Sequence, residues 1–266
     1  MLNFLPAYLA IGAVAGVLAG LLGVGGGLVI VPALVFVFEH AGIAPQHVLH
    51  LALGTSLASI LFTSLSSIRG HHAHGAVNWQ IVRSIAPGIL LGTFAGATVA
   101  GQISTTGLKW LFVAFAVLVS LQMLAGAKPP ATRTLPGPAG MLGAGGFIGL
   151  ISSFVGIGGG SLSVPFMSWC NVSIHQAIGT SAAIGFPIAL AGALGYLVNG
   201  WAAAGLPPGA SGFVYWPALA GIVLASMLTA SVGAKLAHRL PVMRLKKLFA
   251  VLLLSIAGKM LWGLLP

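Results

Sequence analysis

The chain has 266 residues, of which 58% are hydrophobic and only 5% are charged, and its mean hydropathy is +1.07. This composition excludes a soluble domain of ordinary kind and predicts a multi-pass membrane protein with no separate soluble domain. Eleven Lys and Arg residues stand against one acid, Glu39, so the chain lacks the paired intramembrane carboxylates through which proton-driven pumps usually work. The single cysteine, Cys170, excludes an internal disulfide.

The first element in chain order is a long apolar segment, residues 5–38, that is interrupted by glycines. Residues 23–27 read GVGGG, and Pro32 follows them. An unbroken helix is the default for such a hydrophobic stretch, so the glycines predict a helical hairpin with a break. Irregular backbone at membrane depth is tolerated only where it lines a cavity or is buried in protein. The break is therefore predicted to lie inside the molecule.

Three apolar stretches of about 20 residues follow, and each is long enough to span a bilayer. They cover residues 48–68, 80–100 and 107–126. A proline-rich linker, residues 128–138, leads to a second glycine-broken segment at 139–169, in which residues 156–160 read GIGGG before Pro165. The last three predicted helices cover residues 176–198, 213–235 and 246–264.

The two halves are copies of one another. Residues 50–56 read HLALGTS and residues 175–181 read HQAIGTS, and LKWLF at 108–112 matches LKKLF at 245–249. Because the motifs occur in the same order, the chain is predicted to contain an internal duplication, with repeats at 1–127 and 139–266. Paired glycine-interrupted segments at matching positions are the best sequence indication of a transporter's substrate site.

The distribution of cations predicts how often each broken segment crosses the membrane. If each hairpin enters and returns on one side, nine of the eleven Lys and Arg residues face the cytoplasm, as the positive-inside rule requires. Only Lys109 and Lys259 then lie on or near the outer side. Each half has an odd number of passes, so the two repeats must be inverted relative to one another. The predicted fold is all-α, with two inverted repeats and both termini outside.

The hairpin tips and the helices that follow them supply the predicted substrate site. A half-helix that begins after the glycines directs its N–H groups and the positive end of its dipole at the tip, which favours an anion. Hydroxyls of the paired Gly-Thr-Ser triplets can donate to oxyanion oxygens, although close helix packing and bonds to the preceding turn are the alternative. The candidate substrate-binding residues are Gly25, Gly26, Gly27, Thr55, Ser56, Gly158, Gly159, Gly160, Ser161, Thr180 and Ser181. Pro32 and Pro165 are candidate hinges.

Three titratable residues are candidates for gating. Glu39 is the only acid, and His50 and His175 precede the two triplets; a solvated end residue and interfacial anchors are the simpler interpretations. His71, His72 and His74 form a histidine cluster that is predicted to lie in a solvated cytoplasmic loop, since no acid or cysteine accompanies it. We therefore expect no metal and no cofactor.

An intramembrane protease is a further class to weigh, because residues 209–212 read GASG. His238 lies at the far end of the same predicted helix, about 40 Å from Ser211 at roughly 1.5 Å per residue, too far to activate the serine. Ser211 is instead predicted as the N-cap of a helix that begins near Phe213. The chain is accordingly not expected to be an enzyme.

The residues at 20–27 through Pro32, the triplet at 54–56 and their second-half counterparts at 156–165 and 179–181 make the chain resemble the TauE/SafE family, sulfite-exporter-like membrane proteins also called the toluene sulfonate uptake permease family. The resemblance covers nearly the whole chain. It implies movement of small sulfur-containing anions such as sulfite, thiosulfate or organosulfonates, and of some small carboxylates, across a bacterial cytoplasmic membrane.

Together these observations predict an anion exporter that works by alternating access around the two tips. An anion channel, an uptake carrier for an organic sulfonate or carboxylate, and a membrane subunit that only scaffolds partners remain as alternatives. The expected partners are a small anion and membrane lipid, with no nucleic acid, and a homo-oligomer is left open.

Overall fold

The computed structural model describes residues 4–22, 26–125, 133–237 and 242–263. These residues form ten helices and one two-stranded antiparallel sheet. The helices are α1 (Leu5–Leu22), α2 (Gly27–His40), α3 (Pro45–Ala73), α4 (Trp79–Ala100), α5 (Thr105–Ala125), α6 (Pro138–Val155), α7 (Gly160–Trp169), α8 (Ile174–Asn199), α9 (Trp216–Ala237) and α10 (Val242–Trp262), and the strands are β1 (Ala210–Ser211) and β2 (Val214–Tyr215).

Six of these helices are long and apolar enough to cross a membrane, namely α3, α4, α5, α6, α8 and α9 over Trp216–Gly233. The prediction of a helical membrane protein is thus confirmed. α6, the first arm of the second hairpin, has 18 residues and is itself a candidate span, whereas α7 has only 10. The arms of a hairpin are therefore unequal, and the second arm is the shorter.

The second arm of each hairpin begins after a glycine whose backbone angles side chains disfavour. Gly26 and Gly159, which precede α2 and α7, have φ of 73° and 76°, in the left-handed region. Their carbonyls accept bonds from the first helical turn, including Val29 N at 3.0 Å and Ser163 N at 2.8 Å. The second hairpin returns to its starting side, since Arg133 N, before α6, donates to the carbonyl of Trp169, at the end of α7, at 3.3 Å.

The first helix of each half packs against the fourth helix of the other half, so that α1 lies along α9 and α6 lies along α4. Glycines allow both contacts. A β-carbon on Gly16 would lie 2.5 Å from the Ser226 carbonyl, and one on Gly149 would lie 2.6 Å from the Ile89 carbonyl. α3 and α8 pack against one another between these two pairs. The contact between the first helix of one half and the fourth helix of the other half therefore occurs twice in the molecule.

The loops fix which helix ends lie together. The loop after α3 covers the start of α8, where Asn78 N donates to Thr180 Oγ1 at 2.9 Å. The strand before α9 covers the start of α3, where Tyr215 N donates to Thr55 Oγ1 at 2.9 Å. The C-terminal end of α3 thus shares one end of the bundle with the start of α8, and the start of α3 lies at the opposite end.

Three local predictions are wrong. His71 does not lie in a solvated loop, because α3 continues to Ala73 and buries it, whereas His72 and His74 are exposed. α9 begins at Trp216 rather than near Phe213, and Ser211 is not its N-cap but lies in β1, where it accepts a bond from Trp216 Nε1 at 2.9 Å. The short β-hairpin itself departs from the all-α prediction; its register pairs Ser211 with Val214.

Candidate functional site

The two hairpin tips meet inside the bundle. Gly27, at the start of α2, contacts the backbone of Gly156, and a β-carbon on Gly27 would overlap the Gly156 carbonyl oxygen and lie 2.9 Å from the Ile157 Cα. Both glycines are buried. The first N–H groups of α2 and α7 have no partner four residues back, as at every helix N-terminus. Because Gly156 is the C-cap of α6, the contact joins the buried start of α2 to the turn that leads into α7. Gly25, a predicted ligand, lies outside the described residues.

Ser56 joins the first half to the second tip. Its buried Oγ donates to the Gly156 carbonyl at 2.8 Å, the same carbonyl that Gly27 approaches. Ser181, the matching residue of α8, accepts a bond from Ser163 Oγ of α7 at 3.0 Å. The serines of the two Gly-Thr-Ser triplets thus lie at the tips, and each makes a bond to the second hairpin.

Thr55 and Thr180 have a different position. Their hydroxyls accept the backbone bonds from Tyr215 and Asn78 described above, and both residues are fully buried. Each threonine therefore anchors the loop that leads into the fourth helix of the opposite half. A hydroxyl that accepts one bond keeps its proton for another acceptor, so these residues remain predicted substrate contacts with an additional structural partner.

The second tip carries more polar side chains than the first. Ser161 is buried one residue beyond Gly160, and its Oγ has no hydrogen-bond partner among the described residues. Ser152, in the last turn of α6, is also buried and likewise unpartnered in the part of the chain described, and its Oγ would lie 3.5 Å from a β-carbon on Gly159. The sequence analysis identified Ser161 but missed Ser152.

A small cavity lies beside the second tip. Gly158 of the tip and apolar residues such as Ile60 form much of its wall, and the α3 residues Thr63, Ser64 and Ser67 contribute its hydroxyl groups. Its volume is about 10 Å³, which is the space of about one water molecule. Thr63 and Ser64 bond to carbonyls within α3, whereas Ser67 Oγ has no partner within the described ranges. A sulfur oxyanion is several times larger than this cavity, so the site is closed in this structure.

The candidate gating residues lie away from the tips. Glu39 forms an ion pair with Lys109 at 2.9 Å at the surface, an interaction worth about 0–1 kcal/mol. His50 is buried, with Nε2 3.1 Å from the Ala100 carbonyl, whereas His175 is exposed at the start of α8. The two histidines occupy matching sequence positions but different environments, so the structure does not bring the three candidates together.

The hinge candidates lie within the second arms. Pro32 lies inside α2 and Pro165 lies inside α7, each five residues after the first helical glycine. Neither helix ends at its proline.

Cys170 lies outside the candidate spans. Burial raises the pKa of its thiol, although the neighbouring Arg133 partly opposes this, so Cys170 is a poor nucleophile. Within the described residues no group of three His, Cys, Asp or Glu side chains is arranged to hold a metal ion.

A multi-pass helical bundle in which two apolar segments are interrupted at glycines is typical of membrane transport proteins. Residues 8–260 match the family described as "Sulfite exporter TauE/SafE", and the chain belongs to this family. The protein is accordingly a multi-pass membrane transporter.

Relatives are named as transporters too. The chain is 37% identical over 262 residues to a "Probable membrane transporter protein" of Haemophilus influenzae, covering 98% of this chain and 99% of that protein. It is 28% identical to the "Probable membrane transporter protein YdhB" of Bacillus subtilis, covering 87% and 89% of the two chains. A third relative, from Methanocaldococcus jannaschii, is 30% identical over 203 residues, or 74% and 73% of the chains. No solved structure matches the chain.

The bond from Ser56 to the second tip leads to a first prediction. Ser56→Ala should lower transport about tenfold and destabilise the fold by about 1–3 kcal/mol, because a buried carbonyl loses its cross-half donor. Flux and thermal unfolding of the purified protein measure both effects. Ser120→Ala is the matched control, since buried Ser120 bonds only to its own helix, at Ala116. Equal flux in the two variants would show that the Ser56 bond does not position the tip for transport.

Proposed function

We propose that the protein carries small sulfur-containing oxyanions such as sulfite, thiosulfate or an organosulfonate, by alternating access around the two hairpin tips. The observation that carries this proposal is the buried contact between Gly27 and Gly156, which packs the start of α2 against the turn that leads into α7, so that the first residues of both helices lie in the protein interior. Such N-termini favour anions. The family description names a sulfite exporter, which supports the substrate class.

The proposed topology consists of two inverted repeats with both termini outside. Two observations support it. α1 corresponds to α6 in the repeat, and α4 corresponds to α9. The contacts α1 with α9 and α6 with α4 are therefore equivalent, as a two-fold relation between the halves requires. The C-terminal end of α3, near Arg69, lies at one end of the bundle, while the Glu39–Lys109 pair lies near the start of α3 at the other. This is the separation that the positive-inside rule expects if the Arg69 end faces the cytoplasm.

A carrier fits the tip geometry better than a channel. The cavity beside the second tip holds about one water molecule, so an oxyanion can enter only if α3 and the tip separate. A closed, polar, buried site is the occluded stage of a carrier cycle. An anion channel remains the second candidate, in which the same tips form a constriction.

Export is the proposed direction. With a negative cytoplasm, outward movement of one negative charge is favourable by about 2.3 kcal/mol per 100 mV, and no coupling ion is needed. Glu39, the only acid in the chain, is engaged with Lys109 at the surface and is poorly placed to bind a coupling cation at the tips. The proposed location is the bacterial cytoplasmic membrane, with lipid as the surrounding partner. The molecular mass of the purified protein in detergent would show whether it forms a homo-oligomer.

Flux into proteoliposomes under an imposed potential tests this proposal. Sulfite, thiosulfate, an alkylsulfonate and a carboxylate are offered separately, and the expected result is saturable, charge-moving flux of at least one sulfur oxyanion. The rate should rise when the potential drives anions in the direction tested. Non-saturating single-channel currents would favour the channel. No movement of any of the four anions at any potential would overturn the proposed function.

A further inference from the structure

The two hairpin tips differ in their side chains, although Gly26 and Gly159, which precede the two second arms, share a left-handed backbone conformation. Around the second tip lie Ser152, Ser161 and Ser67, each at least nine-tenths buried, and none of the three hydroxyl oxygens has a hydrogen-bond partner among the residues that the structure describes. Buried hydroxyls in proteins are usually paired. Three unpaired ones at a single tip therefore indicate donors kept for a ligand.

The matching positions around the first tip carry no hydroxyl. The duplication aligns Ser152 with Ala19, Ser161 with Leu28 and Ser67 with Gly192. Leu28 is fully buried in the hydrophobic core, and a β-carbon on Gly192 would lie 2.7 Å from Leu57 Cδ1. Apolar packing thus occupies on the first side the places that the serines hold on the second.

The two faces of the second tip also differ from one another. On the α3 side, Thr63, Ser64 and Ser67 face Gly158 across the small cavity. On the α8 side, Ile188, which aligns with Thr63, packs on the same tip, since a β-carbon on Gly159 would overlap Ile188 Cδ1. Among the described residues, hydroxyl groups and free volume therefore coincide on the α3 side of the second tip.

We propose that the transported oxyanion binds at the second hairpin tip, where Ser67, Ser152 and Ser161 donate to its oxygens together with the first N–H groups of α7. The first tip then serves as the packing surface against which the second tip closes, through the contact of Gly27 with Gly156. This inference rests on the proposed anion transport and adds to it two ligands, Ser67 and Ser152, and an asymmetric site.

The residues that line the cavity are uncharged, which is consistent with an anion held by neutral hydrogen-bond donors. No Lys, Arg, Asp or Glu lines the cavity, so the anion is held by hydroxyl and backbone N–H groups and not by a fixed ion pair. Such binding keeps the anion's own charge uncompensated, which lets the membrane potential act on it during movement.

The test uses the full-length protein in proteoliposomes and the same four anions as probes. Ser67→Ala, Ser152→Ala and Ser161→Ala should each raise the KM for the transported anion about tenfold, with little change in maximal rate, and the triple variant should abolish saturable flux. The melting temperature without anion should stay the same or rise, because the removed hydroxyls have no partner in the described fold. The shift of melting temperature on adding the anion should shrink in each variant.

Ser120→Ala is again the control and should leave KM and the anion-induced shift unchanged. If the wild-type protein transports an anion but all three variants keep its KM and thermal shift, the second-tip site is wrong while the transport function stands. A variant that lowers the melting temperature without changing KM would assign a structural role to that serine and also contradict the proposal. If the wild-type protein moves none of the probes, the proposed function fails and this site fails with it.

Discussion

Replacing Gly27 with alanine is expected to abolish transport while the protein still inserts into the membrane. The added β-carbon would overlap the carbonyl oxygen of Gly156 and approach the Ile157 Cα to 2.9 Å. Backbone atoms of a packed hairpin cannot shift as the end of a flexible side chain can, so the two tips must separate. Separation also breaks the bond from Ser56 to the same carbonyl.

Alanine is the sharpest substitution at this position. Gly27 lies inside α2 and its φ is not positive, so alanine adds the contact without adding backbone strain, in contrast to Gly26 with its φ of 73°. The measurement is flux in proteoliposomes at matched protein density, with membrane insertion followed by extraction yield and size-exclusion profile. A loss of flux of at least about a hundredfold with an unchanged profile is the expected result.

Gly143→Ala is the matched control, because Gly143 lies within α6 and a β-carbon there would meet nothing within 4 Å. It should transport as well as the wild-type protein. Flux that is the same in Gly27→Ala and Gly143→Ala would show that the contact between the tips is not needed for transport. The proposed alternating access around the tips would then fail.

Valine at Gly16 or at Gly149 is expected to prevent the two halves from assembling. A β-carbon on Gly16 would overlap Thr229 Oγ1 and lie 2.5 Å from the Ser226 carbonyl. One on Gly149 would lie 2.5 Å from Thr93 Oγ1 and 2.6 Å from the Ile89 carbonyl. Overpacking of a close interface typically costs about 1–3 kcal/mol and more where the neighbour is backbone.

The expected measurement is a loss of monodisperse protein in detergent, or a melting temperature lowered by more than 10 °C, on the order set by a few kcal/mol of destabilisation. Gly143→Val, in the same helix as Gly149 but in open space, controls for the intrinsic cost of valine in a helix. Both interface variants should fail similarly, since the contacts are equivalent. Normal stability in either one would contradict close helix packing at that glycine.

Much of the architecture was predictable from the sequence because it depends on local chemistry. Glycine-rich breaks at 23–27 and 156–160 favour backbone angles that other residues avoid, and the observed arms Leu5–Leu22 with Gly27–His40 and Pro138–Val155 with Gly160–Trp169 lie where the hairpins were predicted. Uninterrupted apolar stretches likewise gave helices near their predicted bounds. The main errors of extent, in α3 and α10, fall at helix ends, where polar residues such as His71 and Arg244 were taken for loops.

The functional roles of individual hydroxyls were less predictable. The duplicated triplets identified Thr55 and Thr180, yet each accepts a bond from a loop of the opposite half, a partner more than 100 residues away. Ser67 and Ser152 were missed because a serine within an apolar helix usually bonds to its own preceding turn. The sequence did contain an indication, because the duplication aligns Ser67 with Gly192 and Ser152 with Ala19, so each serine replaces a residue without a hydroxyl.

The class of this protein, the repetition of its motifs and the positions of its glycine segments follow from the sequence alone, because composition and glycine content act within a few residues of the chain. The folded structure was needed to show that α1 packs on α9 and α6 on α4, that Gly27 meets Gly156, and that a small cavity lies between Ser67 and Gly158. Nearly all surfaces of these helices are apolar, so hydrophobicity cannot select partners among them. Close contact at small residues selects them instead, and that depends on the shapes of two surfaces that are distant in the sequence.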